Sequence, residues 1–79
     1  MPYMTKRQLI KAHNTGDLDG VRKQLTTYGT ITADASYDVE SGHYAGANRV
    51  THFTHHGDPW RVDMLNGEVR SVARGLHHV

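Results

Sequence analysis

The stretch that decides the fold is residues 49–74, RVTHFTHHGDPWRVDMLNGEVRSVAR, in which apolar and polar residues alternate around two turn signals. Asn66-Gly67 is the dipeptide that type I′ hairpin turns prefer, and Gly57-Asp58 is a second two-residue signal. Alternation with period two is typical of strands that bury one face. The stretch therefore predicts three antiparallel strands, at about 49–56, 60–65 and 68–74.

The two turns also predict which residues face one another, because a two-residue loop sets the register of its hairpin. The predicted pairs are Met64 with Val69, Val62 with Ser71, Trp60 with Ala73, Phe53 with Val62, and His55 with Trp60. This register places the apolar residues of both hairpins on one face of the sheet, which is then the face that packs into the core.

The opposite face is polar and is the candidate binding surface. In the predicted register His52 lies across from Asp63, and Asp63 lies across from Arg70. Cross-strand neighbours are about 5 Å apart, so these three side chains are expected to touch. Arginine is also favoured in the hot spots of protein interfaces. The candidate binding residues are His52, Arg61, Asp63, Arg70, Thr54, His56 and Arg74.

A helix pair is predicted before the sheet, over residues 5–28. Thr5 followed by Gln8 forms a capping box, and Asp17 is a good N-cap for a second helix. The second helix repeats apolar residues at helical spacing, which gives it one apolar stripe. Its stripe residues are Leu18, Val21, Leu25 and Tyr28. We expect this stripe to cover the apolar face of the sheet.

The segment between the helices and residue 49 predicts one further strand. Residues 31–39 alternate with period two, which predicts a strand with one buried face. The residues expected on that face are Ile31, Ala33, Ala35, Tyr37 and Val39. A turn is expected at 40–43, a bulge or loop at Gly46, and a frayed tail at 75–79. The prediction is a single α+β domain, residues 1–79, in which an N-terminal helix hairpin packs on one face of a four-stranded antiparallel β-meander (30–74).

One local resemblance accompanies the helix pair. Ala12, Gly16, Leu18, Val21 and Leu25 resemble the helix pair of a single ankyrin repeat over roughly a quarter of the chain. The Thr-Pro-Leu-His opening of that repeat is missing and no second copy follows, whereas ankyrin repeats need neighbours to bury their faces. We interpret the similarity as a shared way of packing two helices.

Composition limits the function classes. The chain has 79 residues, 37% of them hydrophobic, a formal net charge of +1 and no cysteine. A near-neutral charge does not favour a strongly electrostatic nucleic-acid binder. The absence of cysteine excludes disulfides and thiolate zinc sites. The N-terminal residues lack the apolar run of a signal peptide, and no segment has the length and hydropathy of a membrane span, so we expect a cytoplasmic protein.

Three function classes follow from these residues, with no cofactor expected. The first is a non-enzymatic module that binds a protein partner, with a homodimer as a further hypothesis because the meander leaves two strand edges unpaired. Its size and single polar sheet face look like those of the accessory inhibitors of phages and mobile elements, including anti-CRISPR proteins. That resemblance implies that the protein acts in the cytoplasm of a host cell. The alternatives are a small nucleic-acid-binding protein, with a basic helix pair, and a histidine-dependent enzyme or metal site, suggested by the run His52-Phe53-Thr54-His55-His56.

Overall fold

The computed structural model describes residues 2–36 and 47–75, and these form an α+β fold, as the sequence predicts. Two helices precede a sheet whose four antiparallel strands follow in chain order. The elements are α1 (Lys6–Asn14), α2 (Leu18–Tyr28), β1 (Thr30–Ser36), β2 (Arg49–His55), β3 (Asp58–Leu65) and β4 (Glu68–Arg74). The predicted turn at 40–43, the bulge at Gly46 and the end of the tail, 76–79, lie outside the described residues.

Both helices begin at the predicted caps. The Thr5 hydroxyl accepts the Gln8 N–H at 3.2 Å, and the Gln8 side chain accepts the Thr5 N–H at 2.9 Å, which completes a capping box. The Asp17 carboxylate accepts the Gly20 N–H at 3.1 Å. A Cβ at Gly20 would collide with that carboxylate. The glycine inside α2 therefore makes room for the cap of its own helix.

The helix pair packs on one face of the sheet, which we call the helix-side face; the other is the outer face. The core joins residues from all elements except β1: Leu9, Val21, Leu25, Phe53, Trp60, Val62 and Val72. Trp60 is 1% exposed and lies edge-on to His13, whose imidazole bonds the Val72 carbonyl at 2.8 Å. The prediction that the α2 stripe covers the sheet aromatics is confirmed for Val21 and Leu25, whereas Tyr28 is exposed.

The β2–β3 turn lies one residue earlier than predicted. His56 and Gly57, with φ of 53° and 75°, form the two-residue loop, so the glycine takes the second turn position as it does in Asn66-Gly67. Phe53 consequently pairs with Trp60, and His55 pairs with Asp58. The predicted pairs Phe53–Val62 and His55–Trp60 are wrong by two positions. A shift of two keeps each side chain on its predicted face.

The β3–β4 hairpin contains a bulge that the sequence does not predict. Met64 pairs with Val69 as expected, but Arg70 is an extra residue, so that Asp63 pairs with Ser71 and Val62 with Val72. The predicted pairs Val62–Ser71 and Trp60–Ala73 are therefore wrong. The extra residue turns Val72 into the core and Ser71 outward, which buries the larger apolar side chain.

A second bulge divides β1. Ile31 pairs with Phe53, whereas Ala33 pairs with His52, and the register shifts between them. Ile31 therefore faces the helix side, and Ala33 and Ala35 face outward. The prediction of one shared buried face is therefore wrong for Ile31, Ala33 and Ala35, because the bulge puts them on opposite faces and Ile31 is 56% exposed. Tyr37 and Val39, the other two residues of that prediction, lie outside the described residues.

The Asn66-Gly67 turn provides a test of the hairpin. Gly67 has φ of 85°, and no atom lies within 4 Å of the position of an added Cβ. Any cost of substitution is therefore conformational. We expect Gly67→Val to lower the free energy of unfolding by more than about 1 kcal/mol, because β-branched residues resist positive φ. Gly67→Asn is the matched control, because asparagine tolerates this conformation. Equal losses in urea denaturation would contradict the turn assignment.

Candidate functional site

The structure separates the seven residues of the predicted binding surface. Strand pairing places four of them on the outer face: His52, Thr54, Arg61 and Asp63. His52 pairs with Arg61 and Asp63 pairs with Ser71, so the predicted contacts of Asp63 with His52 and Arg70 are corrected. The shifted β2–β3 turn and the β4 bulge explain both differences.

The other three residues lie away from this group. Arg70 is exposed at the β4 bulge. His56 occupies the β2–β3 turn. Arg74 pairs with Trp60, and its guanidinium bonds the Asp58 carboxylate, which also meets the Lys6 ammonium at 3.5 Å. Arg74 therefore ties the end of the sheet to the start of α1 and is not part of an outer-face surface.

Asp63 is buried, and its carboxylate is held by neighbouring side chains of the sheet. It is 4% exposed, and Ser71 donates a hydrogen bond to Oδ2 at 2.7 Å. Arg61 Nε lies 3.2 Å from Oδ1, and the Arg61 side chain is 16% exposed. The neighbouring Val50 is also buried, although the helix pair covers the opposite face. The centre of the outer face is thus a closed polar cluster, whereas the sequence predicts an exposed one.

This burial predicts opposite outcomes for two arginines of the candidate surface. Arg61→Glu leaves the buried Asp63 carboxylate beside a second negative charge, and breaking a buried pair costs about 3–5 kcal/mol. Arg70→Glu alters an exposed side chain that has no carboxylate of the described residues within ion-pair distance, and we expect a change within about 0.5 kcal/mol. Denaturation midpoints of the two variants check this. Equal stability of both would contradict the buried pair.

A histidine corner forms where the β2–β3 turn meets the N-terminal residues; we define it as His55, His56 and Tyr3. The two imidazoles lie 4.1 Å apart between ring centres. Tyr3 lies edge-on to His55 and Tyr28, and its hydroxyl is 3.3 Å from His56 Nδ1. His56 Nε2 bonds the Met4 carbonyl at 3.0 Å. The Nε2–H tautomer satisfies both contacts of His56.

Gln24 holds the same N-terminal residues from the other side. Its buried amide donates to the Pro2 carbonyl at 2.6 Å and accepts the Met4 N–H at 3.0 Å. Residues 2–4 are therefore bound through their backbone by Gln24 and His56. Sequence reasoning missed Gln24, although its position between Val21 and Leu25 on the buried side of α2 was a signal.

The corner predicts a dependence of stability on pH. His55 is 6% exposed, and its Nε2 has no hydrogen-bond partner among the described residues. Burial, and then the charge of His56, lower the pKa of His55 below 6.5. The unfolded chain therefore binds this proton more tightly, so the stability contributed by His55 is complete above about pH 6.5 and is lost as the pH falls through its folded pKa.

We expect His55→Phe to flatten this decline, since the ring against Tyr3 is kept and the titrating group is removed. The measurement is the free energy of unfolding in urea at a series of pH values from about 7 to 5. Thr54→Val, an exposed neighbour with no titrating group, serves as the control. The same slope in the parent and in His55→Phe would contradict the assignment.

The histidine run does not assemble into a metal centre within the described residues. His52 is on the outer face, whereas His55 and His56 belong to the corner. No group of three or more His, Cys, Asp or Glu side chains in residues 2–36 and 47–75 is arranged to hold a metal ion. The histidine–carboxylate pair that suggested an enzyme, His52 with Asp63, is not formed.

A groove lies between α2 and the first strands on the helix-side face, and we call it the β1 groove. Its volume is about 190 Å³. Phe53, Val62 and Met64 contribute apolar atoms to it, and Ile31 lines it from β1. The other lining residues are Arg22, Thr26, Arg49 and Thr51. The sequence alone does not predict this site, because it predicts Ile31 as a buried residue of that face and not as an exposed side chain beside a groove.

The charged groups beside the β1 groove pair with one another. Arg49 holds both oxygens of Asp34, at 3.1 and 2.7 Å, and the Thr51 hydroxyl donates to the same carboxylate at 3.0 Å. The Arg49 guanidinium keeps the pKa of Asp34 below its usual value. Arg22 Nη2 lies 3.3 Å from Asp19, whereas its buried Nε has no hydrogen-bond partner among the described residues.

Helix α1 presents a second chemically distinct surface. It contains Lys6, Arg7 and Lys11 and no acidic residue. Arg7 and Lys11 are exposed and one turn apart, and no carboxylate in the described part of the chain lies within ion-pair distance of either. Lys6 is paired with Asp58. The basic helix surface expected from the sequence is therefore present, but small.

Comparison with known proteins gives no relative. No protein-family model, no curated protein and no solved structure matches the chain. Among the described residues, neither helix is long and apolar enough to cross a membrane. The function is therefore argued from the surfaces of this molecule alone.

Proposed function

We propose that the protein is a small non-enzymatic module that binds a protein partner. The observation that carries this proposal is the exposed edge strand β1, with Ile31 56% exposed beside the β1 groove. An open strand edge offers unpaired backbone groups to another chain, and a large apolar side chain next to it adds contact area.

The small size of the domain supports a narrower class of protein-binding module within this proposal. A short domain whose described residues form no catalytic arrangement is similar to the accessory inhibitors of phages and mobile elements, including anti-CRISPR proteins. Such inhibitors act in the host cytoplasm. From the original candidate surface, Thr54 and Arg70 remain exposed and are available as further contacts. Self-association through an open strand edge is the competing use of β1.

Site-specific photo-crosslinking tests the proposal. A photoreactive phenylalanine derivative replaces Ile31 in one variant and Glu68, an exposed residue of the β4 edge, in the matched control. In a nuclease-treated extract of cells that carry the gene, we expect position 31 to capture a discrete protein and position 68 to capture none. Identical capture at both positions, or capture of nucleic acid alone before nuclease treatment, would contradict protein binding through β1.

A small nucleic-acid-binding protein is the second candidate, and it is favoured by one observation. Arg7 and Lys11 are cations of α1 without a carboxylate partner among the described residues, and α1 has no acidic residue. Phosphate contacts from such residues are sequence-independent and weaken steeply with salt. This candidate predicts that Arg7→Gln and Lys11→Gln lose oligonucleotide binding, whereas a substitution of Ile31 leaves that binding unchanged. The first candidate predicts no such loss.

A further inference from the structure

The two edges of the sheet differ in how well they resist an added strand. β4 carries the charged side chains Glu68, Arg70 and Arg74, and charges along an edge are a common protection against pairing. β1, with the sequence TITADAS, carries one charge, Asp34. That carboxylate is held on the helix-side face by Arg49 and Thr51. β1 is therefore the less protected edge, although both strands contain a bulge.

The β1 groove adds a side-chain site to this edge. Its volume of about 190 Å³ exceeds the roughly 150 Å³ of an apolar cavity that binds benzene. Phe53 and Val62 give it an apolar floor, and Ile31 of β1 gives it a wall. A strand laid along β1 alternates its side chains between the two faces, so every second side chain points to the helix side, where the groove lies.

Arg22 supplies the polar feature of this site. The residue lines the β1 groove from α2, and its buried Nε–H finds no acceptor among the described residues. Its contact with Asp19 uses Nη2 and leaves Nε unsatisfied. A carboxylate is the acceptor that arginine binds most strongly, through short charge-assisted bonds. A carboxylate of a binding partner can therefore provide the acceptor that Arg22 Nε lacks among the described residues.

We propose that the β1 groove binds an extended, acidic segment of a protein partner, which adds as a fifth strand to β1. The segment places an apolar side chain against Ile31, Phe53 and Val62, and an Asp or Glu carboxylate at Arg22. This inference rests on the proposed protein-binding function and names the chemistry of its partner. A second copy paired through its own β1 is a poorer occupant, because its Asp34 is already bound by Arg49 and its Ala33 and Ala35 are small.

The test is a selection of random peptides displayed on phage against the immobilised full chain. We expect enriched peptides to alternate apolar residues with Asp or Glu. Their affinity should fall below detection with Ile31→Glu, which removes the apolar wall of the groove and places there a negative charge that repels an acidic peptide. It should fall about tenfold or more with Arg22→Gln, because charge-assisted hydrogen bonds are lost. The β4 variant Glu68→Lys should bind the peptides as the parent does.

Hydrogen exchange of the parent chain gives a readout that does not depend on any variant folding. Bound peptide should protect amides of residues 30–36 and leave residues 68–74 unchanged. Peptides without acidic residues, or affinity unchanged by Arg22→Gln, would overturn the carboxylate site while leaving protein binding through β1 intact. Three results would overturn the proposed occupant: no enriched peptide, protection confined to β4, or a homodimer that Ile31→Glu dissociates. The crosslinking from position 31 then reports separately on the proposed protein-binding function.

Discussion

The fold depends on keeping Trp60, Val62 and Val72 beneath Val21 and Leu25. In a chain of 79 residues with 37% hydrophobic content, few large apolar side chains are available, and each contributes roughly 1.5–3 kcal/mol when fully buried. All five of these residues are nearly or fully buried. The bulge at Arg70 follows from this constraint, because without it Ser71 would replace Val72 in the core.

That bulge also determines the chemistry of the outer face. Adding one residue to a strand turns every later side chain to the other face. Ser71 is thereby placed where its hydroxyl bonds Asp63, and Arg61 completes the cluster. A polar group that looks available in the sequence is thus used internally. Three further carboxylates are also used in internal ion pairs, because each meets a lysine or arginine side chain of the described residues: Asp19, Asp34 and Asp58.

Two exposed features of the described residues support the proposed functions. β1 is an edge strand of the described sheet and lies beside the β1 groove. Helix α1 has two cations, Arg7 and Lys11, without a carboxylate partner among the described residues. The N-terminal residues 2–4 are held by Gln24 and His56 through backbone contacts, so a side-chain amide and an imidazole already bind an extended segment of chain in this fold. A segment added along β1 would instead bond through backbone groups on both chains, as neighbouring strands of a sheet do.

The sequence by itself determined the element order, the helix caps, the Asn66-Gly67 turn and the core positions of Phe53, Trp60, Val21 and Leu25. These follow from local rules, in which period, cap residues and turn dipeptides act over a few neighbours. Tertiary structure decided the bulge between Ile31 and Ala33, the bulge at Arg70 and the turn at His56-Gly57. It also decided the burial of Asp63 and Gln24. A bulge is selected by which side chain packs best across the sheet, and a buried polar group needs partners from distant segments. Of the candidate binding residues, Thr54, Arg70 and Arg74 are exposed, as the sequence predicts. The β1 groove could not be predicted, because it forms between α2 and strands that are distant in the sequence.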